Sequence, residues 1–275
     1  MTQPLVPHPW WLAALRRIAA MILRHVYLFR GSWPRFLDLT YWPTVQMTMW
    51  GFLTVFLAAK SNFFAQAFGV LLSGALLWDV LFRGQIGMFY SFLEEIWSRN
   101  LGHLFVTPLR PIELALSLMV VSVLKTTVGL VPATLAAMAI FDFSIYALGL
   151  PLIGFYLNLM VMGWAIGLVM CGLIMRYGMG AENLAWGTAF IMTPITAIYY
   201  PVAVLPAWLQ PISLSLPSTH VFEGMRAILI DGAFRADLLL NAALLNLVYL
   251  TVGLVAFHAF FQVARRRGLL LNLGE

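Results

Sequence analysis

Six long apolar stretches divide this chain of 275 residues into seven connecting segments, and its basic residues fall in alternate segments. A helix needs roughly 20 apolar residues to cross the hydrocarbon core of a bilayer. The predicted spans are 39–59, 64–82, 114–141, 148–175, 184–204 and 238–263. With both termini on one side, that side carries 12 of the 16 basic residues: Arg16, Arg17, Arg24, Arg30, Arg35, Arg83, Arg99, Arg110, Arg176, Arg265, Arg266 and Arg267. Lys60, Arg226 and Arg235 lie on the other side, and Lys125 falls within a span.

This charge pattern gives both the class of protein and its orientation. Basic residues are concentrated in the cytoplasmic loops of membrane proteins. The sequence therefore predicts an all-α membrane protein with six transmembrane helices, both termini in the cytoplasm, and a basic cytoplasmic tail at 264–275. The composition agrees, since 62% of the residues are hydrophobic and 10% are charged, against about 25% charged in soluble domains. The net charge of +5 does not indicate nucleic-acid binding, because the basic residues flank spans and form no basic and aromatic groove.

The cytoplasmic segment 1–38 precedes the first span and contains a helix of another kind. Apolar residues recur at helical spacing over Trp10–Arg30, and arginines supply the charge. The pattern predicts an amphipathic helix in the membrane interface, with its apolar face in lipid and its arginines at anionic headgroups. An ordinary polar lead-in is the alternative.

The segment between the second and third spans, residues 84–113, is long and predicted to be cytoplasmic. Apolar and charged residues alternate there as in a short amphipathic surface helix. Its apolar content favours docking of a cytoplasmic partner, and a solvated connector is the alternative. The candidate docking residues are Phe92, Glu94, Glu95 and Arg99.

The segment between the fifth and sixth spans, residues 205–237, is too apolar for a free loop, yet prolines interrupt it too often for a spanning helix. Non-helical backbone at membrane depth persists only where protein or water satisfies its polar groups. We therefore expect two short helices that dip into the outer leaflet, with a break near Pro217. Glu223 and Arg226 share a helical face, where they either pair with each other or act in substrate release. The candidate outer-gate residues are Pro217, His220, Glu223 and Arg226.

Ionisable residues inside predicted spans usually face protein or water. Asp79 and Lys125 are the two candidates, and they either pair with each other or line a pathway, while snorkelling of Lys125 to the interface is a third alternative. Most aromatic residues in the spans are expected to contact lipid or pack against other helices. A few of them are also a candidate lining for an amphipathic substrate: Trp50, Trp78, Tyr199 and Tyr200. The glycines Gly163 and Gly167 predict a close approach of two helices.

Three stretches carry a family resemblance: EEIWSRNLGHLFVTPLRPIEL, TPITAIYYPVAVLPAWLQPISLSLP and PSTHVFEGMRAILIDG. They resemble, in this order, the cytoplasmic segment, the end of the fifth span with the outer hairpin, and the approach to span six in one family. That family is the membrane-spanning permease subunits of type-two ABC exporters, which handle drugs, lipids and lipid-linked polysaccharides. The order of six spans matches over essentially the whole chain. One departure is the stretch Asn-Leu-Gly-His at 100–103, where the family often has Gly-Thr-Leu-Glu.

The resemblance implies a transport subunit rather than an enzyme. It would move an amphipathic substrate out across the bacterial cytoplasmic (inner) membrane by alternating access. ATP and Mg would be bound by a separate cytoplasmic ABC ATPase in two copies, and the permease would pair with a second permease chain, with a homodimer as the first expectation. The sequence itself contains no G-x-x-x-x-G-K-[ST] phosphate loop. We expect this chain to bind no cofactor and no metal, because its five histidines form no spaced cluster.

An ion-coupled secondary transporter or a channel is the alternative function. Such proteins rely on discontinuous spans or intramembrane carboxylates, and Asp79 is the one carboxylate within the predicted spans. A membrane enzyme is disfavoured, because neither H-E-x-x-H nor G-x-S-x-G occurs.

Overall fold

The structure is a computed structural model that describes residues 9–60 and 68–269. These residues form helices and turns, with no β-strand among them. Ten α-helices follow one another in the described residues: α1 Trp10–Arg30, α2 Trp33–Ala58, α3 Phe68–Trp97, α4 Leu101–Val106, α5 Pro111–Phe141, α6 Pro151–Tyr177, α7 Glu182–Ile195, α8 Gln210–Leu214, α9 Pro217–Asp231 and α10 Ala236–Arg266. Short 3₁₀ turns cover Ile145–Leu148, Met179–Ala181 and Val202–Val204.

Four helices in the described part of the chain, α3, α5, α6 and α10, are long and apolar enough to cross a membrane. This agrees with the predicted membrane character. At about 1.5 Å per residue, the 30 residues of α3 and the 31 of α5 make each helix about 45 Å long. The hydrocarbon core is about 30 Å thick, so each helix has about 15 Å to spare.

The first and fifth predicted spans fall on α2 and α7, which are not among these four helices. Helix α7 has 14 residues and is about 21 Å long. The residues predicted to complete the fifth span instead form a turn, in which Ala197 has a φ of 51°, and the Val202–Val204 3₁₀ turn. Pro194 lies in the last turn of α7 and Pro201 directly precedes the 3₁₀ turn. Each proline lacks the amide hydrogen that a continuing helix requires, so the helix does not extend through this region.

Helix α3 extends well beyond the second predicted span. Helix α3 continues without a break to Trp97, so residues 84–97 belong to that helix and the connection to α5 is shorter than the predicted loop 84–113. No proline occurs in α3 to stop it, and apolar residues continue at helical spacing: Ile86, Phe89, Leu93 and Ile96 are all buried. Residues 64–67 of this predicted span lie outside the described residues.

Helix α3 is the centre of the bundle, with α5 and α6 packed against it and α10 packed against α6. Helices α6 and α10 run parallel, since Gly154 lies beside Leu239 near one end and Gly172 lies beside Phe260 near the other. Helix α5 runs opposite to α6. We call the end where α3 ends and α5 begins the basic pole, after Arg99 and Arg110, and the opposite end the distal end.

Helices α1 and α2 follow each other along α5. Arg17 and Phe29 of α1 contact Glu113 and Lys125 of α5, with a separation of twelve residues on each helix. The matching intervals mean that α1 runs parallel to α5 over about 18 Å. Helix α2 continues in the same direction, where Gly51 lies against Phe141 at the end of α5. The predicted helix Trp10–Arg30 is therefore present. It packs lengthwise against α5, whereas a helix in the plane of the membrane interface would cross α5 at a steep angle.

The distal end carries the two short helices α8 and α9. The residue between them, Leu216, has extended backbone angles, and Pro217 occupies the first turn of α9. Proline is well suited to that position, because the first-turn amides have no partner within the helix. The break therefore occurs where the prolines predicted it.

Helices α3 and α6 cross closely at a glycine. A Cβ atom added to Gly163 of α6 would lie 2.8 Å from the backbone oxygen of Leu81 and 2.8 Å from the amide nitrogen of Gln85, both on α3. Backbone atoms cannot move aside as a flexible side chain can. The small-residue pattern therefore forms the contact between α3 and α6, as predicted for Gly163.

We expect Gly163→Ala to destabilise the protein by about 1–3 kcal/mol, because the methyl group overpacks this crossing. The matched control is Gly187→Ala in α7, where nothing lies within 4 Å of the added Cβ and alanine gains up to about 1 kcal/mol of helix propensity. Denaturant unfolding in mixed micelles measures both variants. Equal stability of the two variants would contradict the backbone contact at Gly163.

Candidate functional site

The candidate site at the basic pole begins with the way α3 ends. Arg99 has a φ of 52°, and Asn100 donates its backbone N–H to the Glu95 carbonyl at 3.0 Å, while Arg99 donates to Ile96 at 2.8 Å. These two bonds form a Schellman motif, which usually has glycine at the left-handed position. The turn stops α3 at Trp97 and starts the short helix α4.

The segment from Trp97 to Arg110 forms an exposed tip at the basic pole. Trp97, Arg99, His103 and Val106 are exposed, and Val106 has 87% of its surface free. Leu101 and Leu109 anchor the same segment in the hydrophobic core. The tip is thus a turn, helix and turn with a buried underside and an exposed apolar and basic outer face.

Glu95 lies directly beneath the tip and is 1% exposed. Its carboxylate accepts a hydrogen bond from Arg24 Nη1 at 2.6 Å and from Asn100 Nδ2 at 2.7 Å. His25 Nε2 lies 3.6 Å from it. The other ring nitrogen of His25 donates to the Met21 carbonyl at 3.0 Å, since a carbonyl oxygen only accepts. Glu95 therefore joins α1, α3 and the start of α4.

A second carboxylate, Glu113, joins α1 to α5. It accepts hydrogen bonds from Arg17 Nε at 2.8 Å and Nη2 at 2.6 Å, and from the backbone N–H of Arg110 at 3.0 Å. The hydrogen bonds between the Glu113 carboxylate and the Arg17 side chain raise the pKa of the Arg17 guanidinium above its ordinary value. Two of the arginines predicted to face headgroups, Arg17 and Arg24, are thus bound by carboxylates of the protein, which corrects the expected role of the α1 polar face.

Lys125 lies deeper on α5 and is also held by α3. Its ammonium donates to Ser91 Oγ at 2.7 Å, lies 3.8 Å from Glu94 Oε2, and sits 4.5 Å from the centre of the Phe29 ring. Asp79 is bound to Arg83 at 2.6 Å, one turn away on α3. The two residues do not pair with each other as one alternative predicted.

The expected surface location of the candidate docking residues is wrong for two of the four. Phe92 is fully buried and packs edge-on against Phe257 of α10, and Glu95 is buried as described. Glu94 is partly buried beside Lys125. Arg99 is exposed on the tip. The helix was expected to lie free on the surface, but it is the end of the central helix, so its apolar side is covered.

The candidate residues at the distal end form a compact set of contacts. Arg226 donates to Glu223 Oε1 at 2.9 Å and to the Ile198 carbonyl at 3.1 Å. Glu223 Oε1 also accepts the backbone N–H of Val202 at 2.9 Å. The predicted pairing of Glu223 and Arg226 is present, and it fastens α9 to the turn that follows α7. His220 contacts the Leu214 carbonyl at 2.8 Å and does not join the pair.

The candidate aromatic lining is only partly brought together. Trp50 of α2 stacks on Tyr199, with ring centres 4.5 Å apart. Trp78 is buried in the core around α3, and the Tyr200 hydroxyl donates to the Pro194 carbonyl at 2.6 Å. Among the described residues, no group of three or more His, Cys, Asp or Glu side chains is placed to hold a metal ion.

Sequence reasoning missed the partners of the buried charges. Arg17 and Glu113 are 96 residues apart, and Arg24 and Glu95 are 71 apart, so no local pattern marks either pair. Asp79 and Arg83 are four residues apart on a helix, a spacing that does predict contact.

Neither protein-family models nor curated proteins include a match to this chain.

We expect Arg24→Met to destabilise the protein by about 1–3 kcal/mol, because it leaves a buried carboxylate without its charged donor. Adding Glu95→Gln removes the uncompensated charge and should recover part of that loss. Arg16→Met, at an exposed position eight residues earlier in α1, is the matched control and should be neutral. Unfolding in mixed micelles checks this double-mutant cycle, and additive losses in the double variant would contradict the pairing.

Proposed function

We propose that this chain is the membrane-spanning permease subunit of an ATP-driven ABC exporter. The observation that carries the proposal is the tip from Trp97 to Arg110. It is an exposed, well-anchored projection on the end of the central helix. A soluble ATPase docked there would act directly on α3 and, through Glu95 and Glu113, on α1 and α5.

The arrangement of the ends supports the same proposal. The proposed topology places the basic pole in the cytoplasm, because basic residues accumulate on that side, and α10 brings Arg265 and Arg266 to this end. The extra length of α3 and α5 beyond a bilayer core of about 30 Å then carries the tip into the cytoplasm. The predicted six spans comprise α3, α5, α6 and α10, with α2 and α7 as the remaining two.

The proposed assembly contains two permease chains and two ATPase subunits in the bacterial cytoplasmic membrane. The substrate class is amphipathic: a lipid-linked polysaccharide, a lipid or a drug. Helix α7 is the shortest proposed span. The stacked rings of Trp50 on α2 and Tyr199 in the turn after α7 would offer an aromatic surface to such a substrate. The segment containing α8 and α9 would enter the outer leaflet and cap the distal mouth.

The exporter proposal is tested by reconstitution with an ABC ATPase encoded beside this chain's gene. The chain alone should hydrolyse no ATP, and the complex should hydrolyse ATP and export substrate from vesicles. Val106→Asp should lower copurification of the ATPase at least tenfold, because a charge replaces an exposed apolar contact. The matched control, Val204→Asp, changes an exposed valine at the distal end and should leave copurification intact. ATP hydrolysis by the pure chain would refute its assignment as a permease subunit, and equal losses in both variants would refute the docking surface.

The proposed orientation has its own test in a Cys171→Ala background. His103→Cys on the tip should react with an impermeant thiol reagent only from the cytoplasmic side. Ser215→Cys at the distal end should react only from outside, since both original residues are exposed. Ser213→Cys, at a buried position two residues away, is the unreactive control. Labelling of His103→Cys and Ser215→Cys from the same side would overturn the topology.

A further inference from the structure

A cleft separates α5 from α6 in the distal half of the bundle. Both helices pack along α3 but hardly touch each other, so α3 forms the floor of a wedge-shaped gap. The Ile145–Leu148 turn that leads from α5 towards α6 closes the distal end of this gap. The volume of this open-sided cleft is about 260 Å³. Its lining includes Leu76 and Val80 from the floor, Leu130 and Val131 from α5, and Leu152 and Ile153 from α6.

The few polar groups of the cleft are bound to one another. Thr127 Oγ1 and the Tyr156 hydroxyl are 3.0 Å apart at the end nearer the basic pole. Thr134 Oγ1 donates to the Val131 carbonyl at 2.9 Å and accepts from the Tyr146 hydroxyl at 3.5 Å. These hydroxyl groups already have partners, so a polar ligand gains little there. The cleft selects an apolar ligand.

The size and surroundings of the cleft specify which apolar ligand it takes. Pockets for drug-sized molecules usually enclose about 300–1,000 Å³, so this one is small and suits a single alkyl chain. Val131 and Ile153 at its rim are 47% and 59% exposed. They continue the apolar outer surfaces of α5 and α6, two helices suited to span a membrane. The nearest alkyl chains are those of the bilayer itself.

We propose that this cleft is a binding site for one acyl chain of a bilayer phospholipid. The acyl chain lies between α5 and α6 and contacts α3, on the inner side of the Ile145–Leu148 turn. An empty apolar gap of this size would forfeit the dispersion contacts of its lining, and water does not replace them in an apolar cavity. The bound chain completes the packing of α5 against α6. The site requires only that the protein is embedded in a membrane. The proposal is therefore independent of the exporter function.

The test uses the full chain reconstituted with a phosphatidylethanolamine that carries a diazirine midway along one acyl chain. After illumination, peptide mapping should find labelling concentrated on the cleft residues of α5 and α6, and excess unlabelled phosphatidylethanolamine should saturably reduce it. Val131→Trp fills the cleft and should reduce labelling of the α6 peptide at least fivefold. Val128→Trp changes a similarly exposed valine of α5 (40% exposed) outside the cleft lining and should leave that labelling unchanged.

Ile153→Trp approaches the same cleft from α6 and serves if Val131→Trp does not fold. The proposal is overturned if labelling follows exposure alone, so that Val248 and Val252 of α10, each 58% exposed, are labelled as strongly as the cleft. It is also overturned if both tryptophan variants of α5 behave alike. Displacement of the label by a free fatty acid but not by phospholipid would assign the cleft to a different ligand and reject the proposal as stated.

Discussion

The arrangement of the basic pole depends on the buried carboxylate of Glu95. A charge removed from water is tolerated only when donors compensate it, and Arg24 supplies the charged donor from α1. Helix α1 is therefore a required part of the bundle rather than an accessory to it. Once Arg24 is fixed, the parallel contact with α5 and the starting point of α2 follow. One polar side chain on α3 thus fixes the position of α1, and with it the start of α2.

Mechanical coupling in the proposed exporter follows from this constraint. The tip continues directly from α3, and its two flanking helices, α3 and α5, each carry a carboxylate bound to α1. A force on the tip would move α1, α3 and α5 together. Displacement of one of these helices alone would separate a buried carboxylate from its arginine. Glu95 contributes by holding helices in place, whereas Trp97, Arg99 and Val106 are the residues that a partner can touch.

The features that sequence predicted are local ones. Apolar spacing located α1 to the residue, and Pro217 marked the break before α9, because each signal acts within one or two turns of chain. The end of α3 was missed, since its Schellman turn uses Arg99 rather than the glycine that usually marks such a turn. The short α7 was also missed, because apolar content continues through Pro194 and Pro201 although helix geometry does not. The ion pairs Arg17–Glu113 and Arg24–Glu95 were also missed, because no local sequence pattern connects residues so far apart.

The two ends of the bundle are held together in different ways, and this difference bears on alternating access. At the basic pole, ion pairs connect segments 71 and 96 residues apart, so relative motion of α1, α3 and α5 is costly. At the distal end, Glu223 and Arg226 bind each other and the backbone at Ile198 and Val202. That unit is bound internally and meets α6 and α10 mainly through apolar contacts, such as Gly224 against Phe155. Apolar surfaces slide without leaving charges unpaired, so in the proposed cycle the distal end opens while the basic pole moves as one body.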